Sequence, residues 1–130
     1  MPSPTQKSIE GKLFIALFLC LAFLTKVLAE FIHEAIGHGL FVAMFRGRVT
    51  DLRISLLWPY RLSEISWIPP PSGFRAWQLG WVIAGGIVTC LAVSILVQSS
   101  LVVRPRKSAT LTAGMLWLAV WTMINPTGYL

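Results

Sequence analysis

The stretch LFIALFLCLAFLTKVLAEFIHEAIGHGLFVAMF, from Leu13 to Phe45, decides the fold. Leu13 to Leu24 is unbroken apolar sequence, Thr25 and Lys26 interrupt it, and Val27 to Phe45 resumes it around a short polar cluster. Apolar runs of about 18 residues or more read as membrane-spanning helices. A single helix over 13–45 would be about 50 Å long at 1.5 Å per residue. A hydrocarbon core of roughly 30 Å cannot contain that length upright. The helix must therefore tilt, kink or protrude, and Gly37 and Gly39 are the expected places to bend.

Working outward, residues 1–12 carry Pro2, Pro4, Lys7, Glu10 and Lys12 and read as a polar N-terminal arm. Residues 13–45 form the first span, and 46–75 form an amphipathic loop. In that loop Leu52, Ile54 and Leu56 alternate with Asp51, Arg53 and Ser55, which is strand period. A second, weaker strand is expected over 62–68, with Trp58-Pro59-Tyr60 as the turn. Trp58, Tyr60, Trp67 and Trp77 place this hairpin at a membrane interface, where amphipathic rings collect. Residues 76–103 form the second span, with Gly80, Ala84, Gly85, Gly86 and Ala92 as a small-residue packing face. Residues 104–108 are a basic turn, and 109–130 form the third span.

The expected architecture is an all-α polytopic membrane protein, integral and multi-pass. It has about three transmembrane helices and a small interfacial β-hairpin between the first two. Composition agrees: 55% of the 130 residues are hydrophobic and 12% charged, about half the charge of a soluble domain. The net charge of +6 comes mostly from residues flanking apolar segments, where they meet lipid headgroups. Nucleic acid is excluded as a partner on that ground; membrane lipids are the expected one. Basic residues divide evenly between the two sides of a three-span layout, so charge does not orient it. Cys20 and Cys90 lie inside apolar segments and are expected to behave as small buried hydrophobes. A different reading takes the first apolar run as a secretory signal, with cleavage after Ala29.

The chemistry is concentrated in one place. Glu30, His33, Glu34 and His38 hold both histidines and two of the five acidic residues of the chain. An ionisable group at mid-bilayer costs about 2.5–3.5 kcal/mol even on the lenient insertion scale. A metal ion, or a buried polar network, compensates that cost. In a zinc-binding His-Glu-x-x-His helix the histidines are four apart and share one face. Here they are five apart, which is about 140° on a regular helix, and a straight helix could not bring both to one ion. Two arrangements repair this. A π-bulge absorbs one residue and realigns His33 with His38. Alternatively a straight helix uses the face Glu30, Glu34 and His38, as a metal site or a proton relay.

The segment FIHEAIGHGL (Phe31–Leu40) resembles the metal helix of the intramembrane zinc metallopeptidases of the site-2 protease type. RGRVTDLRISL (Arg46–Leu56) is similar to the turn and strand that follow it in that family. Ala84-Gly85-Gly86 to Thr89, and Asn125-Pro126-Thr127-Gly128, are similar to parts of its later core spans. The resemblance implies Zn²⁺ held by His33 and His38, with Glu34 as the catalytic general base. It implies hydrolysis of peptide bonds in a transmembrane protein substrate, presented as an added strand to the hairpin edge. Glu30 is a possible additional ligand or relay. The family's third ligand is an aspartate of its third core span, and no acid follows Glu64 here. That ligand then lies beyond Leu130, or Glu30 replaces it, or the protein is inactive. Two other functions remain open: a non-catalytic relative acting as a partner-binding scaffold, and a proton or metal-ion pathway.

Overall fold

The computed structural model describes residues 4–56, 62–103 and 108–125. The chain is mostly helical, with two long apolar helices and a small two-stranded antiparallel sheet. Helix α1 (Pro4–Phe31) runs directly into a π-helical segment (Ile32–His38), which continues as α2 (Gly39–Met44). The segment expected to be a polar arm is therefore helical from Pro4. Proline at the first helical position loses nothing by lacking an N–H, and only Gly11 weakens the turns that follow. The expected bend at Gly37 and Gly39 takes the form of the π segment.

Past Met44 the chain reverses sharply. Arg46 adopts φ 62°, and Gly47 N–H bonds back to Val42 O at 2.8 Å. A side chain at Gly47 would strike Phe74 Cζ at 2.7 Å and Val42 Cγ1 at 2.9 Å, so glycine is required for this close return. Strand β1 (Arg48–Arg53) then pairs with β2 (Glu64–Ile68), from Arg48 opposite Ile68 to Arg53 opposite Glu64. The register shifts between Val49 and Asp51, leaving Thr50 as the extra residue of a β-bulge. Strand β1 has the six-residue length of the alternating pattern but lies three residues earlier, and β2 is two residues shorter than the expected 62–68. The expected turn at 58–60 lies outside the described residues. β1 is exposed along its length, whereas Ile65 and Trp67 of β2 are half-buried.

Helix α3 (Ala76–Val103) packs on the π segment and on α4 (Ala109–Ile124), which also packs on α1. The join to the π segment is backbone against backbone. A Cβ on Gly37 would meet Gly86 N at 2.8 Å, and one on Gly85 would meet Phe41 Cδ2 at 2.6 Å. Small residues therefore do here what the sequence assigned to them, allowing helix axes to approach closely. Across α3 and α4, Ser94 Oγ donates to Ala119 O at 3.2 Å. Across α4 and α1, Trp121 Nε1 donates to Ala22 O at 2.9 Å. Helix α4 begins at an N-cap, Ser108, whose hydroxyl accepts from Leu111 N. At 16 residues it is about 24 Å long, short of the roughly 30 Å needed to span hydrocarbon. The basic turn at 104–107 and residues 126–130 lie outside the described residues.

Candidate metal centre

The π segment solves the spacing problem posed by His33 and His38. Its bonding reaches back five residues: Gly39 N–H bonds to Glu34 O. Residues five apart therefore stack on one face, which an α-helix would deny them. The two imidazoles meet with Nε2 facing Nε2 at 3.3 Å, their rings near-perpendicular at 77° with centroids 4.9 Å apart. Ligand atoms of His33, Glu34 and His38 all lie within 4.8 Å of one another. This group can hold a metal ion. The straight-helix alternative, Glu30 with Glu34 and His38, is not the arrangement found.

The donor set passes a simple test of fit. Two imidazole nitrogens bound to one tetrahedral ion at about 2.0–2.1 Å stand roughly 3.3 Å apart. The two rings are also oriented from behind. His38 Nδ1 lies 2.6 Å from Val82 O. A carbonyl only accepts, so that nitrogen carries the proton and His38 Nε2 presents its lone pair. His33 Nδ1 lies 3.6 Å from Cys90 Sγ, and a thiol can donate or accept. Outer contacts of this kind set ring tautomer and aim in metal sites. Gly86 sits against both rings: a Cβ there would come within 2.6 Å of His33 Cε1 and 2.7 Å of His38 Nε2.

Thus Val82, Gly86 and Cys90, four residues apart along one face of α3, form the back wall of the site. By sequence alone Gly86 is a packing residue and Cys90 a small hydrophobe. Cys90 is buried, but as a histidine partner, and Cys20 is exposed. The signal was present as an i, i+4, i+8 relation, yet it has no meaning until α3 is known to face His33. Trp67 of β2 stacks on His38 with centroids 6.4 Å apart. It therefore touches the site rather than serving only as an interface anchor.

Glu30 is not among the converging ligands. It is 4% exposed, and its Oε1 lies 3.5 Å from Lys26 Nζ. This is the i, i+4 pairing the sequence permits. Lys26 Nζ also donates to Ser55 O at 2.6 Å, and Ser55 N–H donates to Ser63 Oγ at 2.9 Å. The buried pair thereby ties the turn end of the hairpin to α1. Asp51, the one aspartate of the chain, is exposed and bonded to Arg53 at 2.9 Å. No protein-family model, curated protein or solved structure matches the chain.

Proposed function

We propose that the chain is a multi-pass membrane metalloprotein of the site-2 protease type, a zinc metalloendopeptidase acting on membrane-embedded protein segments. The observation that carries this reading is the 3.3 Å approach of two Nε2 atoms across a π turn that also holds Glu34. The membrane setting is supported by the two long apolar helices and by the large apolar side chains they leave exposed, such as Leu13 at 69% and Val102 at 80%. A buried histidine pair with an adjacent carboxylate, among such helices, is costly unless it has a task.

In this reading His33 and His38 hold Zn²⁺, which supplies polarisation of the scissile carbonyl and acidification of water. Glu34 takes the proton from the attacking water and returns it to the leaving amine. Val82 O and Cys90 keep the rings aimed. Apolar helix faces exclude bulk water from the reacting centre, strengthening the electrostatics inside it. The exposed β1 strand supplies backbone partners for an unwound substrate segment. Unwinding must precede attack, because a peptide bond inside a helix is shielded.

One observation favours a second reading. Among the described residues, only Glu34 joins the two histidines as a ligand candidate, and catalytic zinc normally takes three protein ligands. If Glu34 is itself the third ligand, the general base is used up and the protein is a non-catalytic metal-holding scaffold. Glu34→Gln separates the two. As a peptidase, the variant keeps about one zinc per chain and loses proteolysis by roughly 10²–10⁴-fold. As a scaffold, it loses zinc. Zinc content unchanged in His38→Ala would refute both.

A further inference from the structure

The geometry points to Cys90 as a tautomer switch for His33, allowing the cluster to be well bonded both without an ion and around one. The inference rests on His33 and His38 sharing a metal, as proposed above. The two histidines have different backing groups. His38 Nδ1 faces the Val82 carbonyl at 2.6 Å, an acceptor only, so its proton stays on Nδ1 in every state. His33 Nδ1 faces the Cys90 thiol at 3.6 Å, which can be donor or acceptor.

Without an ion, the 3.3 Å separation of the two Nε2 atoms is a hydrogen bond. His38 Nε2 has only a lone pair to offer, so His33 must carry its proton on Nε2. The chain then runs in one direction: Cys90 S–H to His33 Nδ1, His33 Nε2–H to His38 Nε2, His38 Nδ1–H to Val82 O. With an ion, both Nε2 atoms must present lone pairs. The His33 proton leaves Nε2 and one is taken up at Nδ1, so the ring stays neutral and no net proton is gained or lost. The thiol S–H rotates away, and sulfur accepts from Nδ1–H. A carbonyl at position 90 could serve only the loaded state, whereas a thiol or hydroxyl serves both. Cys90 is thus a positioning residue that acts through His33.

Nitrogen NMR of histidine-labelled protein in detergent micelles reads each ring's tautomer directly. In the metal-free wild type, the His33 proton is expected on Nε2 and the His38 proton on Nδ1. Saturating Zn²⁺ is expected to move the first and leave the second. Cys90→Ser should repeat both spectra, while Cys90→Ala should weaken Zn²⁺ binding by about 10–100-fold. A His33 proton already on Nδ1 without metal would overturn the inference, and this arm needs no variant to fold. Equal Zn²⁺ affinity in the wild type and Cys90→Ala would overturn it while leaving the shared metal site intact. Failure of the wild type to bind Zn²⁺ would overturn both.

Discussion

Gly86→Ala adds a single methyl group where the structure has no space for one. The new Cβ would lie 2.6 Å from His33 Cε1 and 2.7 Å from His38 Nε2, distances at which ring atoms must move. Overpacking a tight core costs about 1–3 kcal/mol. Replacing glycine by alanine inside a helix returns roughly 0.5–1 kcal/mol. The expected net loss of stability is therefore between about zero and 2.5 kcal/mol, small enough for the protein to remain folded. Metal affinity should suffer more. The methyl group enters the space between the two Nε2 atoms, so at least one ring must rotate off the shared point. A fall of at least about 10–100-fold in Zn²⁺ affinity is expected, the size seen when even an outer-shell partner is removed. Gly80→Ala on the same helix is the control. Nothing lies within 4 Å of its Cβ, so only the favourable helix term remains. Isothermal titration with Zn²⁺ in micelles, beside thermal unfolding of both variants, gives the two quantities. Wild-type affinity in Gly86→Ala would refute the assignment of the Nε2 pair as the metal site.

Lys26→Met strands Glu30 in a buried position and removes the bond to Ser55 O. Breaking a buried pair by deleting one partner costs about 3–5 kcal/mol, so a large fall in Tm is expected, with faster amide exchange in the hairpin. Lys26→Met combined with Glu30→Leu should recover much of that loss, and no recovery would show that the pair is not coupled. Chelation of the zinc-loaded protein should lower stability by about 2.7 kcal/mol if loading was at 100 times Kd. Differential scanning calorimetry reads the shift, and an unchanged Tm would mean that the folded state holds no ion.

The sequence was most legible where one residue pattern permits one geometry. The long apolar runs dictate helices, and the alternation around Asp51 dictates a strand. His33 and His38 at five-residue spacing demand either a π turn or abandonment of the pair, and the π turn is what forms. Other features depended on contacts between distant segments. Cys90 looks like any thiol in an apolar helix until Gly85 and Gly86 let α3 come within backbone contact of Gly37. Lys26 and Glu30 have a plain local pairing, but their tie to Ser55 depends on where the hairpin folds back. Polarity over 4–12 does not mark a helix boundary, because charged side chains are compatible with a helix, and α1 begins at Pro4. The third span coincides with α4 over Ala109–Ile124, and its remainder lies outside the described residues.

The π turn itself can be put to the test by removing one residue. In an α-helix His33 and His38 would lie about 140° apart, whereas four-residue spacing leaves only about 40°. Ile36 lies within the π segment and is 42% exposed, so its deletion removes little packing. The shortened helix would read His-Glu-Ala-Gly-His, with histidines four apart. The π turn should then relax to α, because the inserted residue that forced it is gone. Everything from Gly37 onward should keep its place against Gly85 and Gly86, since a π-bulge absorbs one residue without turning the helix beyond it. Zn²⁺ binding should therefore survive within about tenfold, the range of an outer-shell change. Insertion of one alanine after Ile36 should abolish binding instead, because a second extra residue rotates His38 off the Val82 carbonyl. If the deletion destroyed binding as fully as the insertion, the five-residue spacing would be a requirement of the site rather than an insertion that the helix absorbs.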